Sequence, residues 1–312
     1  PNWNGEKVTI SGYQGYKYSN YIYFIIPDPN NEEIHYQQKA ISDYLVNNGF
    51  QIATPVLNNQ GQLITKSNQK EYIVYIAQQN YRKDKTNHSQ VLSNFHQVGT
   101  TYPYDPYNIS SYGKWKSLWI NRIDTFENLY NQYYHERPVS KFKRLFIDMF
   151  PYMVGLAENA IQYLQETETE RRFHDIDQPT ITFMRYSNQL QKEVVWSHEL
   201  VYDHPARDLA EYIRPLLLNN KPFDSIKTFL SEYEQNRSLS VFSWRLLYAR
   251  LLFPIHLFDF IEESLVKTEM AKDYGDFNQL LQKQINYEQN LRKFYTELDI
   301  DFKKYGIPVI DW

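Results

Sequence analysis

The sequence predicts an α+β fold of two lobes, a small β-rich N-terminal lobe over residues 1–85 and a larger, mainly helical C-terminal lobe over residues 86–312. Three observations predict it. Short runs of β-branched and aromatic residues fill the first part of the chain, separated by Gly, Pro and Asn. Apolar residues recur at helical spacing through most of the second part. Within that part, residues 171–214 hold two further strand-like runs and a loop.

Composition narrows the class of protein. A hydrophobic fraction of 42% is ample for a buried core, and a net charge of −4 gives no overall basic field to hold nucleic acid. The absence of Cys excludes disulfides and thiolate metal sites, and it suits a reducing cytosol. The N-terminus is polar, and no apolar run approaches the ~20 residues of a membrane span. We therefore expect synthesis in the cytoplasm without a signal peptide.

The 28 Tyr residues are the unusual compositional feature. One interpretation is that Tyr replaces Phe at half-buried positions, where its hydroxyl finds a partner. The other is a sticky or cross-linkable surface of the kind that interfaces of assembly proteins present.

In the N-terminal lobe, a helix is predicted from about Glu32 to Asn47, with Gly49 beyond its end. The segment Gly12–Tyr16 is predicted to be a hairpin turn between the first two strands. Strands are predicted at Lys7–Ser11, Tyr21–Ile26, Ile52–Val56, Gln62–Thr65 and Tyr72–Ala77.

Residues 80–86 are predicted to link the lobes, and helical periodicity follows them. Thr180–Met184 and Val194–Trp196 are predicted to pair as a β-hairpin, followed by a loop that ends in Asp203-His204-Pro205. The segment Leu246–Phe260 is predicted to be the buried centre of the lobe. Helices are predicted at His88–Val98, Trp115–His135, Lys141–Glu166, Ala206–Arg214, Phe223–Asn236, Leu239–Phe253, Ile255–Met270 and Phe277–Phe302.

The run His204-Pro205-Ala206-Arg207-Asp208-Leu209-Ala210 resembles the D-P-x-x-D-L-A segment of the aminoglycoside phosphotransferase and choline kinase-like superfamily. There, a catalytic loop H-G-D-x-x-x-x-N leads into a hairpin, and a metal-binding Asp follows. In that register, Phe173-His174-Asp175 take the H-G-D position, Thr180 the metal-binding Asn and Trp196 the metal-binding Asp. Over almost its whole length the chain resembles the endospore coat-associated YutH proteins of the CotS spore coat group. The resemblance implies a bilobal protein-kinase-like fold.

The resemblance also implies a degenerate catalytic site. Phosphoryl transfer needs an Asp at the attacking hydroxyl, oxygen ligands for Mg²⁺ and a cation at the nucleotide phosphates. Asp175 is the candidate base, with Asp177 the alternative if the register shifts by two, and a turn-capping Asp is the structural alternative. Thr180 offers one neutral oxygen, and the indole nitrogen of Trp196 can only donate.

The nucleotide-binding parts of the N-terminal lobe are also reduced. The strand before the predicted helix has no Lys, and Lys17 and Lys39 are predicted to be surface charges. Gly12 and Gly15 are a weak match to a loop that covers phosphates.

Asp203 and Asp208 are the expected loop anchors in this resemblance. Arg171 or Arg172 are the expected partners of Asp208. Glu199 or Asp203 are the carboxylates that would restore a divergent metal site. His198, Asp203 and His204 lack the spacing of a metal site, and we expect none there.

The resemblance therefore implies a spore coat-associated protein without phosphotransferase activity, which acts by binding other coat proteins at the endospore coat. No cofactor is expected in that case. The alternative is an active small-molecule kinase that uses ATP and Mg²⁺ through a divergent metal site. A third possibility is a scaffold that binds nucleotide without turnover. The sequence does not give the oligomeric state.

Overall fold

The computed structural model describes residues 5–27, 32–79, 87–170, 172–266 and 270–310, except for the side chains of residues 266 and 270–273. The predicted link at residues 80–86 and Arg171 lie outside the described residues. Contacts divide the chain into two compact units. The first comprises Pro1–Tyr112, Gln178–Asp208 and Glu232–Ser238, and the second comprises Gly113–Asp177, Leu209–Ser231 and Leu239–Trp312.

The first unit contains two sheets. Within the described residues, seven strands form one sheet in the order β1-β2-β3-β6-β4-β8, with β5 paired to β6, while β7 and β9 form a second sheet. The strands are β1 Glu6–Ile10, β2 Tyr13–Tyr18, β3 Tyr21–Pro27, β4 Ile52–Pro55, β5 Ile64–Ser67, β6 Lys70–Gln78, β7 Thr180–Phe183, β8 Val195–Trp196 and β9 Leu200–Asp203.

Strand β2 was not predicted, because the segment Gly12–Tyr16 was assigned wholly to a turn. The turn itself needs only Ser11 and Gly12, whose φ angles of 51° and 83° are left-handed, as a two-residue hairpin turn requires. Gly15 lies inside β2, paired with Phe24 of β3. The hairpin turn is therefore confirmed, but its predicted extent was wrong.

The predicted hairpin between Thr180–Met184 and Val194–Trp196 is wrong. β7 pairs antiparallel with β9, where Thr180 faces Asp203 and Phe183 faces Leu200. β8 instead runs parallel to β4. The run Leu200–Asp203, which was predicted to be loop, supplies the partner strand because three of its four side chains are buried.

Helices α1, Glu32–Asn47, and α2, His88–Thr100, complete most of the first unit. Helix α2 lies against β7 so closely that a Cβ at Gly99 would be 2.4 Å from Thr180 Oγ1. This contact places α2 with the strands, in the first unit.

In the described residues of the second unit, the regular secondary structure consists of α-helices and a short 3-10 turn at Asp175–Asp177. The predicted buried centre, Leu246–Phe260, is confirmed by fully buried Leu247, Leu251, Leu257 and Phe258. No helix in the described ranges is both long and apolar enough to cross a membrane. The remaining helices are α3 Trp115–His135, α4 Lys141–Thr169, α5 Ala206–Leu218, which begins in the first unit, α6 Phe223–Glu234, α7 Val241–Leu252, α8 Ile255–Val266 and α9 Met270–Glu297.

Candidate functional site

Trp196, in strand β8 of the large sheet, belongs to a cluster of buried apolar residues. Its side chain is 2% exposed. The ring centroid of Trp196 lies 4.7 Å from that of Tyr13, 4.8 Å from Phe24 and 5.9 Å from Tyr75. Its indole N–H is buried without a hydrogen-bond partner among the described residues, so the ring is held by packing alone. Its neighbours Val195 and Ser197 add no carboxylate.

The inward face of β3 offers no cation to a phosphate. Its buried residues are Ile22 and Phe24, and Phe24 packs on Trp196. A Cβ at Gly15 would lie 2.7 Å from the Phe24 ring, so the lack of a side chain at Gly15 leaves room for the ring of Phe24, a residue of the same sheet. The segment around Gly15 therefore covers an aromatic ring.

The two lysines of the N-terminal lobe that we considered pair with surface carboxylates. Lys17 Nζ lies 3.7 Å from Glu6 Oε2, and Lys39 Nζ lies 2.9 Å from Asp43 Oδ2. Both pairs are partly exposed to solvent, which agrees with the predicted surface role.

Thr180, the first residue of β7, is fully buried against α2. Its hydroxyl donates to the carbonyl oxygen of His96 at 2.6 Å. The side chain thus joins a strand to a helix within the first unit.

Asp175 and Asp177 belong to the second unit, whereas Thr180, Trp196, Asp203 and Asp208 belong to the first. Asp175 is exposed at the start of a 3-10 turn. Asp177 is buried, and its carboxylate accepts hydrogen bonds from the His174 backbone N–H at 2.7 Å and from Ser240 Oγ at 2.6 Å. Asp177 is therefore the structural anchor of this turn. The assignment of Asp175 to the catalytic position stays a prediction.

Asp208 is the centre of a buried polar network that the sequence did not reveal. Its carboxylate accepts from the Phe183 backbone N–H at 3.1 Å and lies 3.0 Å from His96 Nε2. His96 Nδ1 lies 2.8 Å from the Tyr233 hydroxyl. Burial holds the pKa of His96 well below its usual value, so the ring is neutral. A carboxylate can only accept, so we assign the proton to Nε2, and Nδ1 accepts from Tyr233.

The expected partners of Asp208 were Arg171 or Arg172. Arg171 lies outside the described residues, and Arg172 forms an ion pair with Glu170 at 3.6 Å. His96, which precedes Asp208 by 112 residues, supplies the observed contact. A histidine in a predicted amphipathic helix belongs to no motif, so its role could not be predicted from the sequence.

Arg207 and Asp203 hold the same segment from its other side. The Arg207 guanidinium donates to Asp203 Oδ2 at 2.7 Å, to the Phe183 carbonyl at 2.9 Å and to the Met184 carbonyl at 3.0 Å. Asp208 thus binds the N–H of Phe183, and Arg207 binds its C=O. The segment tied to the start of α5 begins at Phe183. These contacts support the anchoring roles predicted for Asp203 and Asp208.

His204 closes the start of α5, because its Nδ1 accepts from the Ala206 backbone N–H at 3.1 Å. Glu199 follows Trp196 in a 3-10 turn, and burial raises the pKa of its carboxyl group. Within the part of the chain that the structure describes, no group of three His, Asp or Glu residues is placed to hold a metal ion.

Tyrosines occur both in the core and on the surface. Tyr75, Tyr233 and Tyr248 are fully buried, as packing residues would be. Tyr104 and Tyr107 lie on the surface between α2 and α3, 70% and 69% exposed. An adhesive role would fall to such exposed residues, not to the tyrosines of the core.

Comparisons with known proteins place this chain in a family. Residues 4–294 match the family model described as "Spore coat putative kinase YutH". The chain is 31% identical, over 319 residues, to the endospore coat-associated protein YutH of Bacillus subtilis (strain 168), covering 96% of this chain and 91% of that protein.

Solved structures similar to this chain share its fold at low identity. An aminoglycoside phosphotransferase from Alicyclobacillus acidocaldarius superposes with a TM-score of 0.64 at 11% identity, covering 96% of this chain and 94% of that one. A microcompartment-associated aminopropanol kinase gives 0.59 at 10% identity, covering 94% of each chain. The AMP-bound spectinomycin phosphotransferase gives 0.57 at 15%, covering 88% and 89%. The predicted α+β, kinase-like fold is confirmed.

Proposed function

This chain belongs to the spore coat YutH family, and on that premise we propose that it is a coat-associated binding protein without phosphotransferase activity. It acts at the endospore coat by binding other coat proteins through a stable kinase-like framework. The observation that carries this proposal is the burial of Trp196 at the position that the resemblance assigns to the metal-binding Asp.

A metal–nucleotide complex needs carboxylate oxygens and a phosphate-binding cation. The resemblance assigns the metal-binding position to Trp196, and β3, the strand before α1, has no Lys. The ring of Trp196 packs on Phe24 of that strand. Positioning and charge neutralisation supply most of the rate in phosphoryl transfer, and a positioned base contributes about 10²–10⁴-fold. A retained Asp175 without the other groups leaves little catalyst.

We further propose that the remnant of the catalytic loop begins at Phe183. In the superfamily the Asp at the position of Asp208 ties down the catalytic loop, and here Asp208 binds the Phe183 N–H. Reading H-G-D-x-x-x-x-N from Phe183 places Arg185 at the base position and Leu190 at the metal-binding Asn. A guanidinium cannot accept a proton at neutral pH, and Leu190 has no oxygen on its side chain. This register supports inactivity as strongly as the first.

One observation favours an active kinase with a divergent metal site. Glu199 Oε2 is buried without a hydrogen-bond partner among the described residues, and burial raises the pKa of its carboxyl group. Perturbed carboxyl groups occur often at catalytic sites. Asp203, the other candidate carboxylate, is engaged by Arg207. A site with one such carboxylate is a weaker account than the binding protein.

Thermal unfolding with and without ATP, each with and without Mg²⁺, tests the proposal. A ligand at 100 times its dissociation constant adds about 2.7 kcal/mol, which moves the midpoint by several degrees. We expect no shift that requires Mg²⁺. A nucleotide-binding scaffold would shift with ATP alone. Phosphorylation of a small molecule that depends on Mg²⁺ and ATP, and that is lost in the Asp175→Ala or the Glu199→Gln variant, would contradict the proposal.

A further inference from the structure

Helices α3 and α4 of the second unit enclose an open groove with a cavity volume of about 780 Å³. Its floor is apolar, formed by Ile120, Ile123, Val154 and Ile161. Ile120 is 38% exposed. The groove therefore leaves apolar surface open to solvent.

Carboxylates surround this floor. Asp124, Glu127, Glu158 and Glu166 line the groove, and none of them forms an ion pair within the described residues. A fifth, Glu170, is neutralised by Arg245 and Arg172. No Lys or Arg is among the described lining residues. Four carboxylates without an ion pair thus line a groove that has an apolar floor.

Two cations of α3 lie near the groove, and each has a partner. Arg122 pairs with Asp259 and Glu262, both at 2.7 Å and outside the groove. Lys116 donates at 2.9 Å to Oε1 of Gln165, a lining residue of the groove. Neither cation forms an ion pair with one of the four carboxylates.

The groove has the length of a helix. Its α4 wall runs from Val154 to Thr169, which at 1.5 Å per residue is about 22 Å. Lining residues recur every three or four positions along it, so one continuous face of α4 forms the wall. A helix of about four turns fits that length, and helix-in-groove docking uses apolar anchors at the same spacing.

We propose that this groove docks a basic amphipathic helix of another protein. The apolar face of that helix covers the isoleucines, and its flanking Lys or Arg residues meet Asp124, Glu127, Glu158 and Glu166. The inference rests on the proposed function, since it names the kind of partner that a coat-binding protein would hold here. Charge complementarity selects the occupant. The same groove on a second copy would bring four more like charges, and a small polyamine would leave the floor uncovered.

The probe is a synthetic 18-residue peptide with Leu at i, i+3, i+4 and i+7 spacing and Lys on both flanks. Its twin carries Glu in place of each Lys, and spermine serves as the small cation. Binding is measured by calorimetry to the full chain at low and high NaCl. The test variant is Glu127→Lys with Glu158→Lys. The matched control is Asp276→Lys with Glu297→Lys, two exposed positions of α9 that make the same change in net charge.

We expect the Lys peptide to bind, and the groove variant to lose at least about tenfold in affinity. The control variant should bind like the original chain, and salt should weaken the complex. Ile120→Ser should also weaken it, since the floor carries the apolar contact. Unchanged circular dichroism and unfolding midpoints establish that the variants fold.

Four results would overturn the inference: no binding of the Lys peptide, equal loss in both double variants, equal binding of the Glu twin, or spermine binding as tightly as the Lys peptide. A phosphotransferase assay on the same samples separates this inference from the proposed function. Turnover with intact peptide binding refutes inactivity and leaves the groove. Inactivity without peptide binding refutes the groove alone.

Discussion

The network around Asp208 and the cluster around Trp196 lie in the same compact unit, yet they stand in opposite relation to the kinase pattern. At Asp208 the expected residue is present, and its carboxylate holds the Phe183 backbone and His96. At Trp196 the expected carboxylate is replaced by an aromatic ring packed on Tyr13 and Phe24. Under the proposed function, the groups that shape the loop are kept, whereas the groups that hold metal and phosphate are replaced.

Removal of Asp208 should produce the largest effect. Asp208→Ala leaves the Phe183 N–H and the His96 N–H buried without an acceptor, which should cost about 4–5 kcal/mol of unfolding free energy. Denaturant unfolding measures it, and Asp208→Asn should cost less because it keeps an acceptor. Asp124→Ala, at an exposed carboxylate, is the control and should change stability by less than about 0.5 kcal/mol. Similar losses in Asp208→Ala and the control would mean that the network is not an anchor.

Truncation of Trp196 tests the other side of the comparison. Trp196→Ala opens a cavity in the cluster and should cost about 3–4 kcal/mol, whereas residues kept for catalysis often can be replaced without loss of stability. Tyr18→Ala, at a 66% exposed position of the same sheet, is the control.

Trp196→Asp sharpens the point, because it restores the carboxylate in an apolar cluster. It should destabilise the chain and confer no Mg²⁺-dependent ATP binding in a thermal-shift measurement. A gain of such binding would show that the chain still holds the rest of a kinase site.

The sequence was sufficient for elements and insufficient for their partners. Helix α1 was predicted with its observed bounds, Glu32–Asn47, because its apolar spacing is flanked by Pro and Gly. Strand β2 was missed, since Gln14, Gly15 and Lys17 weaken its alternation. Strands β7 and β8 were found, but their pairing with β9 and β4 depends on contacts that no local pattern encodes.

The candidate site shows the same limit. The motif at His204–Ala210 identified Asp208 as an anchor, but a motif does not say what the anchor binds. Its partner His96 is 112 residues away and belongs to no motif. The register that placed Asp175 and Thr180 was a count along the chain, whereas the contact at Phe183 is a fact of the fold.

Gly15→Ala should give a smaller effect in the same cluster. The added Cβ would lie 2.7 Å from the Phe24 ring and 2.8 Å from Ile22. Overpacking of this kind costs about 1–3 kcal/mol. Gly155→Ala is the matched control, because nothing lies within 4 Å of its Cβ in helix α4. It should stabilise the chain by about 0.5–1 kcal/mol. Equal effects of the two substitutions would show that β2 can move away from Phe24, and that the cluster is loosely packed.

The smallest effect concerns pH, and it reports on the anchoring network. Burial lowers the pKa of His96 in the folded protein, whereas in the unfolded chain the pKa of this His is about 6.5. Above that pH the ring is neutral in both states and contributes no pH dependence. Below it the unfolded chain binds a proton that the folded chain does not, so stability falls by about 1.4 kcal/mol per pH unit for this residue. The fall continues until the pH reaches the lowered pKa of the folded state.

Denaturant unfolding at pH 7.0, 6.0 and 5.5 measures the slope. A His96→Gln variant, which cannot titrate, should begin less stable but lack this part of the slope. If both proteins show the same slope, His96 takes up its proton in the folded state as readily as in the unfolded state. The hydrogen bond that we assign from the Tyr233 hydroxyl to Nδ1 of His96 then does not exist.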